Sequence, residues 1–137
     1  DFGLSGRKLR PGCGTIEYTA PVVLGVVPNG YEATPPPADI YAFGCLMYEM
    51  LTGELLFDAP DELALVAKHV SHDGWMPPLE TLAEQPKFFP VARLIGGCLR
   101  HDPRDRPTAV DLRQEVTSAL VAVADAPWPA RRRQAAG

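Results

Sequence analysis

A chain of 137 residues with 46% hydrophobic and 22% charged side chains holds enough apolar material for one globular domain or part of one, and too much for a disordered protein. Its formal net charge of −4 excludes general nucleic-acid binding, because no basic excess is available to displace counterions from phosphates, and the run Arg131, Arg132, Arg133 is only local. Three cysteines, Cys13, Cys45 and Cys98, are odd in number and form no Cys-x-x-Cys pair, so neither a disulfide framework nor a zinc site is indicated and a reducing, cytoplasmic setting is expected.

Asp1 to Tyr18 carries Gly3, Gly6, Pro11, Gly12 and Gly14 without apolar periodicity and is expected to be a long, shaped loop. The sequence opens on Asp1 rather than on methionine and shows no signal peptide, which reads as a fragment. Thr19 to Val27 is a candidate short helix opened by Pro21, followed by an irregular, proline-rich connection over residues 28–38. Asp39 to Gly53 is the dominant stretch, apolar on every face of any helix it forms, so it must be surrounded by protein. Pro35, Pro36 and Pro37 are expected to bar helix before it, Asp39 to accept hydrogen bonds from its first turn, and Gly53 to supply the left-handed stop. At roughly 20 Å the helix is short for a bilayer, and Asp39 and Glu49 would be costly in lipid, so no membrane span is predicted.

Downstream, Asp58 or Asp61 with Pro60 opens a helix to about Val70, with Leu63, Val66, Ala67 and Val70 on one face. Ser71 to Pro86 is expected to be a loop. Phe88 to Leu99 is predicted helical, with Leu94, Ile95, Cys98 and Leu99 as its apolar stripe. Thr108 with Asp111 three residues on resembles a capping box for a last helix whose Leu112, Val116, Ala119, Leu120 and Val123 repeat at three and four. Ala126 to Gly137 is a tail without pattern. His69, His72 and His101 are too scattered for a metal site and are expected on helix surfaces or at caps. Arg7, Lys8 and Arg10 are either solvated or placed to meet a phosphate on Ser5 or an acidic substrate.

Four local patterns occur in fixed order: Asp1-Phe2-Gly3; Gly14-Thr15-Ile16-Glu17-Tyr18-Thr19-Ala20-Pro21; Asp39-Ile40-Tyr41-Ala42-Phe43-Gly44; and Asp102-Pro103-Arg104-Asp105-Arg106-Pro107-Thr108. Together they resemble the C-terminal half of a eukaryotic-type (Hanks-type) serine/threonine protein kinase domain, from the Asp-Phe-Gly motif onward. The resemblance implies a mainly α fold: an incomplete kinase-like domain over residues 1–124, without the N-terminal β lobe, followed by a tail over 125–137. Residues 1–22 would be the activation segment and 23–124 the helical lobe. It further implies an ATP-dependent phosphotransferase acting on protein substrates, inactive as this chain alone.

Phosphoryl transfer needs a divalent metal held on the nucleotide's phosphate oxygens, and a carboxylate on a loop with a flexible glycine can hold one. By the resemblance, Asp1 is the Mg2+ ligand of the ATP site, Phe2 packs inward and sets whether Asp1 faces the metal, and Gly3 permits the backbone turn. For the tripeptide taken alone, an ordinary glycine turn is the competing reading. Thr15 matches the threonine that contacts the catalytic-loop aspartate and lysine beside the incoming hydroxyl, which favours serine and threonine acceptors. Tyr18, Ala20, Pro21, Gly44 and Arg106 match structural positions. Asp39 matches the carboxylate that accepts hydrogen bonds from catalytic-loop amides, and capping its own helix is an equally good use of it.

One position departs from the pattern. The family has Ala-Pro-Glu where this chain has Ala20-Pro21-Val22, so the glutamate expected to pair with Arg106 is absent. Breaking a buried ion pair from one side costs on the order of 3 to 5 kcal/mol unless the remaining charge finds another carboxylate or water, and Asp102, Asp105 and Glu32 are the candidates. The departure leaves room for an alternative, a non-catalytic kinase-like scaffold or regulatory module. Such a module would use the helical lobe for contacts with kinases or regulators.

Overall fold

The structure, a computed structural model, describes residues 16–18 and 35–126, and its described part is mainly helical. Five α-helices occur among these residues: α1 (Pro35–Thr52), α2 (Glu62–Val70), α3 (Pro77–Ala83), α4 (Phe89–Cys98) and α5 (Ala109–Val123). Short 3-10 turns cover Ile16–Tyr18, Pro86–Phe88 and Pro103–Asp105. Asp1, Phe2, Gly3, Thr15, Ala20, Pro21, Val22 and Glu32, the expected helix over 19–27 and the tail after Ala126 lie outside the described residues.

α1 begins a full turn earlier than predicted. The amides of a helix's first turn have no intrahelical acceptor, so the missing N–H of Pro35, Pro36 and Pro37 costs nothing there and their fixed φ suits the helix. Asp39 is therefore an exposed residue inside α1 and not its cap. Gly53 ends the helix as expected, with φ +75° and its amide donating to the Glu49 carbonyl at 2.8 Å.

α1 is not enclosed on every side. Ala38, Tyr41, Cys45, Tyr48 and Leu51 are buried, whereas Phe43, Leu46 and Met50 are 38%, 44% and 62% exposed. With Asp39 these three form an outward stripe at spacings of four, three and four residues.

Asp61 caps α2, its carboxylate accepting from the Ala64 amide at 2.8 Å. The face expected to be buried is the outer one: Leu63 is 81% exposed and Val70 is exposed, while Leu65 and His69 turn inward. His69 draws that face in, because its ring lies 4.0 Å from that of Phe57 and its Nδ1 is 2.8 Å from the Tyr41 hydroxyl.

The stretch expected to be a loop up to Pro86 contains α3, whose two leading prolines occupy its first turn and whose Leu79 and Leu82 are buried. α4 follows the predicted stripe, with Leu94, Ile95, Cys98 and Leu99 all enclosed. Thr108 caps α5 by accepting from the Asp111 amide at 3.2 Å. Of the predicted α5 stripe, Leu112, Ala119 and Val123 are buried, Val116 is partly covered, and Leu120 is 49% exposed. The core lies where α1 packs on α4 and α4 packs on α3 and α5.

Gly44 makes the α1–α4 contact possible. A Cβ built there would sit 2.8 Å from the Cys98 Cβ and 3.3 Å from Leu99 Cδ2. Cys98 Cβ is fixed to the backbone of α4, so it cannot swing aside and the two helices would have to part. Gly97, on the same helix as Cys98, has nothing within 4 Å of its own built Cβ. Gly44→Ala is expected to destabilise the fold by about 1 to 3 kcal/mol through overpacking. Gly97→Ala is expected to be neutral or to stabilise by up to about 1 kcal/mol through helix propensity. Urea unfolding of the two variants against the parent checks both signs.

Candidate functional site

Among the sequence-predicted site residues, Tyr18, Asp39, Gly44 and Arg106 fall in the described part of the chain. The Ile16–Tyr18 turn packs against α1 and α2, and the Tyr18 hydroxyl donates a hydrogen bond to the Glu49 carboxylate of α1. That hydrogen bond, together with partial burial and the Glu49 charge, pushes the Tyr18 phenol up to about 12, so it remains a donor at physiological pH. The Ile16–Tyr18 turn is thereby tied to α1. Asp39 is exposed at the head of the outward stripe of α1 and is free to accept from groups beyond that face.

Arg106 follows the Pro103–Asp105 turn, which Asp102 shapes by accepting from the Arg104 amide at 2.9 Å. The side chain is 6% exposed. Its Nε donates to the Arg100 carbonyl at 2.7 Å and one Nη to the His101 carbonyl at 3.2 Å, and the guanidinium carbon stands 5.2 Å from the centre of the Tyr41 ring. Among the described residues, backbone dipoles and an aromatic face receive this cation, whose family partner, a glutamate, the sequence lacks. Burial lowers its pKa to about 10, with Tyr41 and Asp102 acting against that shift, so Arg106 stays charged at neutral pH. Of the proposed substitutes, Asp102 pairs with Arg104 at 2.8 Å and Asp105 with Arg100 at 3.6 Å.

Of the three histidines expected on helix surfaces or at caps, His69 and His72 are buried. His69 is fully enclosed, His72 is 8% exposed, and the His101 Nε2 lies 3.2 Å from the His69 carbonyl. Their one sequence signal was the pairing of Leu65 with His69 one turn apart, which the more apolar run Leu63, Val66, Val70 outweighed. Among the described residues no group of three His, Cys, Asp or Glu side chains is arranged to hold a metal. Burial raises the thiols of Cys45 and Cys98, the latter to about 12, which leaves both as inert core residues. Arg106→Ala, which leaves two carbonyls without their donor, is expected to cost about 2 to 4 kcal/mol. Arg106→Lys should recover only part of this, because an ammonium cannot serve both carbonyls and stack on the ring. Denaturant melts of the parent and both variants measure the difference.

The family description "Protein kinase domain" matches residues 1–116. Over 118 residues the chain is 33% identical to serine/threonine-protein kinase PLK2 of Mus musculus, covering 82% of this chain and 16% of the relative. It is 31% identical over 117 residues to serine/threonine-protein kinase Nek6 of Oryza sativa subsp. japonica, covering 82% and 20%. Mitogen-activated protein kinase kinase kinase 15 of Mus musculus is 35% identical over 123 residues, covering 84% and 9%. Among solved structures, Rad53 1-466 in complex with AMP-PNP superposes with a TM-score of 0.54 at 28% identity, over 77% of this chain and 26% of that one. The chain spans a fifth or less of the length of these three curated relatives. With the ordered motifs, the helical fold and a family match over most of its length, this chain belongs to the protein kinase domain family.

Proposed function

We propose that the chain is the portion, from the Asp-Phe-Gly motif onward, of an ATP-dependent cytoplasmic kinase that phosphorylates serine and threonine of protein substrates. The observation that carries this reading is the family match over residues 1–116, which takes in all four motifs in order. Mg2+ bound with ATP supplies charge neutralisation at the transferring phosphate. Asp1 would be its ligand, a hard oxygen donor of the kind such a cation prefers, with Phe2 and Gly3 setting the direction of that carboxylate. Because Asp1 lies outside the described residues, this assignment rests on the motif and on donor chemistry. Thr15 would sit beside the acceptor hydroxyl and favour serine or threonine there.

Asp39 would hold the catalytic loop by accepting from its backbone amides. Its exposure at the head of the Phe43, Leu46, Met50 stripe supports this, since a carboxylate there has room for donors from a neighbouring segment. The Tyr18 to Glu49 hydrogen bond would keep the substrate-facing loop in register with α1.

Catalysis by these residues requires a nucleotide-cradling loop, a phosphate-contacting lysine and a catalytic aspartate that the four motifs do not supply. Radiolabelled phosphate transfer to a generic protein acceptor is therefore expected to be absent for the 137-residue chain. It should appear when the coding sequence upstream of Asp1 is included, and then fall by roughly 100-fold or more in Asp1→Ala. Transfer by the short chain, or transfer that survives Asp1→Ala, contradicts the reading. A longer protein that binds kinases or regulators but transfers nothing supports the scaffold alternative, which Val22 in place of glutamate favours.

A further inference from the structure

The loop joining α2 to α3, residues 71–76, is clasped against the end of α4. Gly74 has φ +96°, and a Cβ on either Gly74 or Gly96 would come within 2.5 Å of the other's carbonyl oxygen, so the two backbones touch. Asp73 adds a second tie, one carboxylate oxygen accepting from the His101 amide at 2.9 Å and from Arg100 Nε at 3.3 Å. The third is His72. Its ring stacks on Phe57 at 5.2 Å and meets His101 edge-on at 5.4 Å, and its Nδ1 accepts from the Gly74 amide at 2.9 Å.

An accepting Nδ1 carries no proton, so the neutral ring must hold its hydrogen on Nε2. That Nε2 is buried without a hydrogen-bond partner among the described residues. A second proton would have to enter at Nδ1, where it would face the Gly74 N–H with no acceptor between them. The surroundings do not welcome the added charge. His69 approaches from α2, His101 and Arg100 from the segment after α4, and Arg106 stands behind at the His101 carbonyl. Asp73 is the anion beside the ring, and its oxygens already serve Arg100 and the His101 amide.

We propose that residues 71–76 form an acid-released latch, in which a solvent proton taken up at His72 Nδ1 displaces the Gly74 amide and lifts the loop from α4. Burial first, then His101 and His69, lowers the pKa of latched His72 from 6.5 to about 4. The released ring titrates near its ordinary value, so the latch is closed above about pH 6.5 and weakens as pH falls toward 4. With those two values the opening equilibrium constant rises about 30-fold between pH 7.5 and pH 5.

Hydrogen exchange followed by NMR on the full chain tests this. After correction for the intrinsic pH dependence of exchange, protection of the Gly74 amide is expected to fall about 30-fold over that interval while amides inside α4 hold theirs. His72→Asn should abolish the fall, because an Asn side chain can accept from the amide two residues on but does not titrate. Side-chain nitrogen spectra of the unsubstituted chain give a readout that does not depend on that variant folding: His72 should be the Nε2–H tautomer at pH 7.5 and titrate well below 6.5. Constant Gly74 protection, a loss shared equally by α4, an undiminished fall in His72→Asn, or ordinary titration of His72 would each overturn the latch.

Discussion

Four segments of the chain meet on one phenol ring. Tyr41 of α1 is fully enclosed; it stacks parallel to Phe57 with centroids 6.4 Å apart, and its hydroxyl lies 2.8 Å from His69 Nδ1 of α2. Arg106, from the turn before α5, lies over its face. Burial holds the phenol well above its usual pKa, so the hydroxyl keeps its proton and shares one hydrogen bond with the His69 ring. Burial of such a ring contributes about 2 to 3 kcal/mol. A desolvated cation over it adds a further contribution on the order of 2 kcal/mol. Because the same side chain meets a polar atom, an aromatic ring and a charge, the position of α1 sets the positions of α2, the loop after α1 and the approach to α5.

The parts of this arrangement that could be read from sequence are those whose cause is local. Asp61 before an apolar run, Thr108 three residues ahead of Asp111, and Gly53 at a left-handed stop each satisfy backbone groups within one turn, and each holds in the structure. The apolar identity of α1 was equally plain. Tertiary causes were not legible. Nothing in the sequence around His69 reports that Tyr41 and Phe57 wait on the other side, and the pattern favoured Leu63 and Val70, which face outward. The prolines mislead in a different way: Pro35 to Pro37 read as a bar to helix and the stretch that holds Pro77 and Pro78 reads as a loop, whereas a helix's first turn is where proline fits without loss.

The candidate site divides along the same line. Its motif residues are read by type and order, but Arg106 illustrates what order cannot supply. Removing a glutamate from a family pair invites the inference of a stranded charge, and a stranded buried charge would cost several kcal/mol. The guanidinium's planar fork gives it other options. Two backbone carbonyls and the Tyr41 ring receive it, and these come from the bend at residues 100–106 and from α1. Among the described residues, Arg106 is thus buried against partners other than the family's glutamate.

The outward stripe of α1 follows from the same geometry. Turning Tyr41, Cys45 and Tyr48 toward α4 and the Arg106 bend places Asp39, Phe43, Leu46 and Met50 on the opposite side, because the helix period leaves no other place for them. Full burial of a large apolar side chain contributes about 1.5 to 3 kcal/mol, and the three here are already partly covered. Covering the stripe would thus add on the order of 2 to 4 kcal/mol, a sizeable share of the roughly 5 to 15 kcal/mol that stabilises a typical domain. A carboxylate at one end of an apolar stripe also gives that face a direction, since a covering segment gains most if its free amides meet Asp39 while its apolar side chains meet Met50 and Leu46. The tightly packed inner face of α1 and its open outer face are two results of one choice, the inward turn of Tyr41.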